Sequence, residues 1–146
     1  FLERRAAPPG PASAEASFEQ GVALEASDPV AAEAAYRQAL ERQPDHEAAY
    51  LNLGALLSEA GRYTELAALS DAAVQHCPAS ALAHFNRGVA LDHLERLDEA
   101  ARSYERSLAL DPSLADAHYN LGRLREQLGD KRGALRHFNA YRRLPH

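Results

Sequence analysis

The chain has 146 residues, 46% of them hydrophobic, with 16 basic side chains against 21 acidic ones and a formal net charge of −5. That length suffices for one domain burying roughly 70% of the surface its unfolded form would expose, while an acid-rich body repels phosphate backbones and excludes direct nucleic-acid binding by this fragment. The single Cys77 cannot close an internal disulfide and no apolar run approaches the roughly 20 residues that cross a bilayer, so a cytoplasmic protein without a membrane partner is expected.

Residues 1–13 (FLERRAAPPGPAS) set Pro8, Pro9 and Pro11 around Gly10, which removes helix hydrogen bonds and predicts an extended linker. Its charges stand where a secretion signal would have its apolar stretch. With Phe1 in front and no methionine anywhere, the chain is expected to be part of something longer. From residue 14 onward apolar residues recur at helical spacing in eight stretches, each bounded by a breaker or a cap. The predicted helices span 14–26, 29–43, 46–60, 63–77, 80–94, 97–110, 114–128 and 131–144. Asp28 before Pro29 makes a helix opening, because the aspartate accepts a free backbone N–H and proline needs none in the first turn. Gly61 and Gly129 mark hairpin turns, where a left-handed residue costs least.

The stretches repeat at a period of 34. Gly54, Gly88 and Gly122 share one column, Pro44, Pro78 and Pro112 a second, and Ala32, Ala100 and Ala134 a third. Such a period means stacked helical hairpins, none able to bury its apolar face alone.

The segments FEQGVAL, YLNLGALL, HFNRGVAL and HYNLGRLR resemble the first helices of tetratricopeptide repeats, each followed by a matching second helix. The resemblance implies an all-α, right-handed solenoid of four hairpins over 14–146, with repeats at about 14–46, 47–80, 81–114 and 115–146. It also implies roles: Gly21, Gly54, Gly88 and Gly122 permit close helix contact, the alanine column lies where the two helices cross, and the prolines end the second helices. The wording of repeats three and four, with the ending RHFNAYRRL, further resembles repeat cassettes behind MerR-like DNA-binding domains. That likeness implies a transcriptional regulator of which this part is the sensing or assembly arm.

Several positions depart from the pattern. Gly21 and Gly54 are 33 apart, so the first hairpin turn is one residue short. Leu66 stands in the alanine column, which should spread its hairpin unless Ser70, where the other repeats have Tyr36, Tyr104 and Phe138, offsets the volume. Arg87 takes a leucine position, so an apolar contact weakens there or the guanidinium finds an acid. Residues 1–114 carry a net charge of −9 and residues 115–146 a net charge of +4. Arg123, Arg125, Arg132, Arg136, Arg142 and Arg143 therefore either let the last repeat face water as its own cap or form a docking patch for an acidic partner, a second copy included.

No phosphate loop, paired cysteines, His-Glu-x-x-His or nucleophile elbow is present, so no catalysis and no cofactor are expected. No metal is expected either. His84 and His118 sit one repeat apart, roughly 10 Å as helices pack, too far for one zinc ion, and His46, His76, His93 and His137 show no partner at ligand spacing. His84 and His118 take the slot that Tyr50 fills in the second repeat, which favours packing.

The candidate binding surface is a ladder. Asn52, Asn86 and Asn120 recur two residues before each glycine, on the helices that line the concave face in the resembled family. An amide offers the donor and acceptor that an extended peptide backbone needs, and the superhelix of O-linked N-acetylglucosamine transferases uses a comparable ladder. Phe18, Leu51, Phe85 and Tyr119 run beside it as anchors if exposed and as core if buried. Glu25, Asp92 and Glu126 form an acidic column, a wall for a basic ligand or a solvated face. Family members that hold acidic EEVD-type tails use cations where this chain has Phe18, Val22, Asn52, Leu82 and Asn86, so no such binding is expected. The expected function is a protein-interaction module. The alternatives are oligomerisation through the repeat ends and a substrate-recruiting arm of an enzyme.

Overall fold

A computed structural model describes residues 13–146. The linker expected over 1–13 lies outside the described residues but for Ser13, whose hydroxyl caps the first helix by accepting from the Ala16 N–H at 3.0 Å. Eight helices follow in chain order: α1 (Ala14–Leu24), α2 (Pro29–Arg42), α3 (Glu47–Glu59), α4 (Tyr63–His76), α5 (Ala81–His93), α6 (Leu97–Leu110), α7 (Ala115–Gln127) and α8 (Lys131–Arg143). Every expected helix is present, and the expected bounds run long only at the frayed ends. Among the described residues there is no strand. The helices pair as four hairpins in a right-handed solenoid, α1 with α2 through α7 with α8, each pair stacked on the next.

The caps follow the local chemistry. Asp28 accepts from the Ala31 N–H at 3.1 Å ahead of Pro29, as its sequence context predicts. Gly61 and Gly129 adopt φ of 70° and 89°, the left-handed turn expected of them. In the third repeat the same turn position is Glu95, at φ 63°, with a side chain that strains there.

Why the hairpins close is visible at the glycines. A Cβ on Gly21 would lie 2.5 Å from the ring of Tyr36, on Gly88 2.7 Å from Tyr104 and on Gly122 2.8 Å from Phe138. Glycine there lets an aromatic ring of the second helix lie flat against the first. In the second repeat Ser70 supplies no ring, and Leu66 fills part of the space, 3.5 Å from the Cβ position of Gly54. The rest is taken from the next repeat, whose Asn86 amide nitrogen reaches 3.0 Å. The expected spreading follows: α3 and α4 pack less closely than the helices of the other hairpins, and α4 leans on α5. Leu66 and Ser70 are nonetheless buried, at 1% and 2% exposure.

Candidate functional site

Two of the three ladder asparagines are engaged across repeat junctions. Asn52 donates its amide to the Tyr36 hydroxyl at 3.3 Å, and Tyr36 donates that hydroxyl to Glu25. One period pair later, Asn120 donates to the Tyr104 hydroxyl at 3.4 Å and Tyr104 donates to Asp92 at 3.3 Å. Each set joins the carboxylate and tyrosine of one repeat to the asparagine of the next. Burial and the neighbouring carboxylate push the Tyr36 phenol up to about 12 and raise that of Tyr104 further, so both remain protonated donors. Between the second and third repeats the set is missing: Ser58 and Ser70 replace carboxylate and tyrosine. Asn86 accordingly makes no hydrogen bond among the described residues. The acidic column is thus largely spent, with Glu25 and Asp92 accepting from tyrosines and only Glu126 exposed.

The anchor column divides. Phe18 is half-buried between Tyr36 and His46, with ring centroids 5.7 and 4.9 Å apart. Leu51 and Phe85 are half-buried, Phe85 tilted against Tyr104 at 5.7 Å. Tyr119 is 46% exposed, over Phe138 and Tyr141. Leu82, one turn ahead of Phe85 and not singled out as an anchor by the sequence pattern, is 45% exposed. Leu82 and Phe85 line a cavity of about 300 Å³ with the start of α7, Pro145 and His146. The sequence signals for Leu82 were its clamp position in the resembled family and the i, i+3 spacing from Phe85.

The six arginines of the expected docking patch do not form one surface. Residues two apart on a helix face opposite ways, and Arg123 pairs with Asp92 of α5 while Arg125 pairs with Glu105 of α6 at 2.5 Å. Arg142 bonds Asn139. Arg132, Arg136 and Arg143 share one exposed stripe of α8 and form no ion pair among the described residues. Of the two arginines that replace apolar residues in the last repeat, Arg125 turns back to α6 and Arg142 stays exposed, with Leu128 and Leu135 40% and 58% exposed nearby. Arg87 finds acid, donating to Asp71 at 2.7 Å and to Ser103 at 2.8 Å.

Every histidine of the described residues except His76 makes a hydrogen bond. Tyr50, His84 and His118 reach the carbonyls of Pro44, Pro78 and Pro112 at 2.7, 3.1 and 3.0 Å, one helix-end carbonyl per repeat. His46 accepts from the Ala49 N–H at 3.1 Å and so donates from Nε2 to Glu15 at 3.0 Å. His137 has a neighbour that sequence spacing does not reveal: its Nδ1 lies 3.1 Å from Nδ1 of His118. Because the Pro112 carbonyl takes the Nε2 proton of His118, His137 is the donor of that pair. Among the described residues no group of three or more His, Cys, Asp or Glu side chains is placed to hold a metal, and no helix is long and apolar enough to cross a membrane.

Models of the tetratricopeptide repeat match residues 23–84 and 116–144, and a further model of the same repeat type matches 93–129. No curated protein is a significant match. Among solved structures, MamA (41-end) from Desulfovibrio magneticus RS-1 is 27% identical, with 90% of this chain and 75% of that chain covered at a TM-score of 0.77. MamA AMB-1 is 26% identical over 91% of this chain and 79% of that chain at 0.73. Another MamA structure, 18% identical over 88% of this chain and 75% of that chain, reaches 0.78 and carries the fold alone. With 204 solved chains matching, the likeness identifies an architecture and selects no partner. None of the matches described here is a MerR-like regulator, and the transcriptional reading has no support in them.

Proposed function

Because the chain is a tetratricopeptide-repeat protein, a scaffold type that works by binding, we propose that its trough receives an extended polypeptide segment from a protein partner, centred on α5 and α7. The carrying observation is the pair of exposed apolar side chains on neighbouring first helices, Leu82 and Tyr119, with half-buried Phe85 between them. Large apolar groups left in water beside a concave wall mark interaction sites. Within the ladder, Asn86 is the member whose amide has no hydrogen bond among the described residues, so it offers donor and acceptor to a ligand backbone. Asn52 and Asn120 contribute chiefly their carbonyl oxygens. Three amide contacts at roughly 0.5 to 1.5 kcal/mol each leave much of the affinity to the apolar anchors.

The cations of an acidic-tail clamp are missing. Arg123 is the one arginine beside Tyr119 and Asn120 on α7, and Asp92 neutralises it. Calorimetry with a peptide ending in Glu-Glu-Val-Asp should therefore register no binding at micromolar concentration.

The test is selection of a random twelve-residue peptide display library on the purified protein. Enriched peptides should share a bulky apolar residue, and Leu82→Glu with Tyr119→Ser should reduce their capture at least tenfold without shifting the melting temperature. Undiminished capture by that double variant would move the ligand off the trough.

A further inference from the structure

Of the thirteen arginines in the described chain, six are tied to carboxylates and seven, Arg42, Arg102, Arg106, Arg132, Arg136, Arg142 and Arg143, are exposed and form no ion pair among the described residues. Those at hairpin turns and repeat junctions are tied to carboxylates: Arg37 and Arg62 to Glu33, Arg87 to Asp71, Arg96 to Glu99, Arg123 to Asp92 and Arg125 to Glu105. Arg132, Arg136 and Arg143 recur at spacings of four and seven, which puts them on one face of α8, all exposed and none ion-paired among the described residues. Their equivalents one repeat earlier are Asp98, Arg102 and Ala109, also exposed, so this face is the solvent-facing back of the solenoid and not its open end.

The same positions on the first repeat's second helix, α2, have the opposite character. Arg132 corresponds to Val30, Arg136 to Ala34 and Arg143 to Glu41. Glu41 is followed by Asp45 and Glu47, and all three carboxylates are exposed without an ion pair among the described residues. Negative potential at that edge is felt by its neighbours: beyond burial, Asp45 and Glu47 raise the Cys77 thiol and Asp45 raises the Tyr50 phenol. At the far end, Arg136 and Arg125 add to burial in lowering His137.

Apolar surface coincides with both charged faces. Val30 and Leu135, 81% and 58% exposed, are the two most exposed large hydrophobic side chains of the described chain. Leu135 lies between Arg132 and Arg136 in sequence and flanks their stripe on α8, about 60° round the helix from Arg132. Val30 lies on the stripe that ends at Glu41, eleven residues or about 16 Å along the helix, against about 12 Å from Leu135 to Arg143 at 1.5 Å per residue. An arginine side chain spans the difference.

We propose that the arginine stripe of α8 is a self-association surface whose occupant is α2 of a second copy, Leu135 against Val30 and Arg143 against Glu41 and Asp45. The two faces lie on the first and last repeats, so a contact that uses one face of each copy leaves the other face free and adds copies head to tail, a heterologous arrangement. Each contact leaves the trough free, so this association and ligand capture fail independently.

Sedimentation equilibrium at about 0.05 M and 0.5 M salt tests it, because exposed charge pairs weaken as the screening length shortens. Association is expected at low salt and a loss of at least tenfold at high salt. Arg132→Glu with Arg143→Glu should be monomeric, as should Glu41→Arg with Asp45→Arg, both with unchanged melting curves. A mixture of the two variants should associate again, since one then presents acidic faces and the other basic ones. A monomer at both salts overturns the proposal, as does association that survives either charge reversal or a mixture that stays monomeric. Retention of the wild type on duplex DNA without self-association would reassign the stripe to polyanions and overturn it equally.

Discussion

Asn120 donates its side-chain amide to the hydroxyl of Tyr104, 3.4 Å away, across the junction between the third and fourth repeats. Asn52 does the same to Tyr36 across the first junction. A residue type that reads from sequence as a ligand contact is here also a stitch between repeats. Tyr36→Phe and Tyr104→Phe should each lower stability in urea unfolding by about 1 kcal/mol, the net worth of a hydrogen bond. Adding Asn52→Ala to Tyr36→Phe should then cost less than Asn52→Ala alone in wild type, because the shared bond is already gone. Strict additivity in that cycle would mean the stitch carries no energy.

The four glycines of the first helices should not respond alike to alanine. At Gly88 and Gly122 the added methyl meets the flat side of Tyr104 or Phe138 at 2.7 and 2.8 Å, and Tyr104 is fully buried and cannot move. Gly88→Ala is expected to cost about 1 to 3 kcal/mol by overpacking. At Gly54 the nearest atom is the Asn86 amide nitrogen at 3.0 Å, the tip of a half-buried side chain that can turn aside. Helix propensity favours alanine over glycine by about 1 kcal/mol, so Gly54→Ala should be neutral or stabilising. Denaturant midpoints of the two variants decide, and an equal loss at both sites would refute the role given to the rings.

Glu95 holds φ 63° at the turn position where the second and fourth repeats have Gly61 and Gly129. Left-handed backbone costs a side-chain-bearing residue about 1 to 2 kcal/mol, part of which glycine returns as unfolded-state entropy. Glu95→Gly should therefore raise stability by about 0.5 to 1 kcal/mol in thermal or urea unfolding. A loss on substitution would show that the Glu95 side chain contributes something its geometry does not reveal.

Glu95 also shows what the sequence does and does not make legible. Helices, turns and hairpin pairing were readable because they depend on local periodicity, caps and a period that repeats. The Leu66 and Ser70 exchange was readable as a volume change that spreads its hairpin unless balanced, and Arg87 as an ion pair in waiting. The tyrosine stitches were not, since they join residues 16 positions apart by the direction of a hydroxyl. The arginines were misgrouped for a related reason: closeness in sequence placed Arg123 beside Arg125, while the helix turns them to opposite faces. Leu82, legible as a clamp position without its cation, was not legible as an apolar anchor, because exposure depends on what the neighbouring helix leaves uncovered.

Two histidines make stability depend on pH in the mildly acidic range. Burial first, then His118, Arg136 and Arg125, hold His137 below its ordinary 6.5, with Glu105 opposing. His84 is lowered by burial and by Arg106 and Arg87, against the pull of the Pro78 carbonyl. As pH falls through about 6.5 the unfolded chain takes up protons that the folded protein refuses, so stability is present above that value and is lost as pH drops toward the depressed values. Glu33, Glu65 and Glu99 are lowered by their arginine partners and add a separate loss below 4.5, where the unfolded chain protonates first. His137→Asn keeps a donor opposite His118 and removes one titration, so its stability should fall less steeply than that of wild type between pH 7 and 5. Urea unfolding at several pH values measures both slopes. Parallel slopes would place the acid sensitivity elsewhere, and His84→Asn would then be expected to carry it.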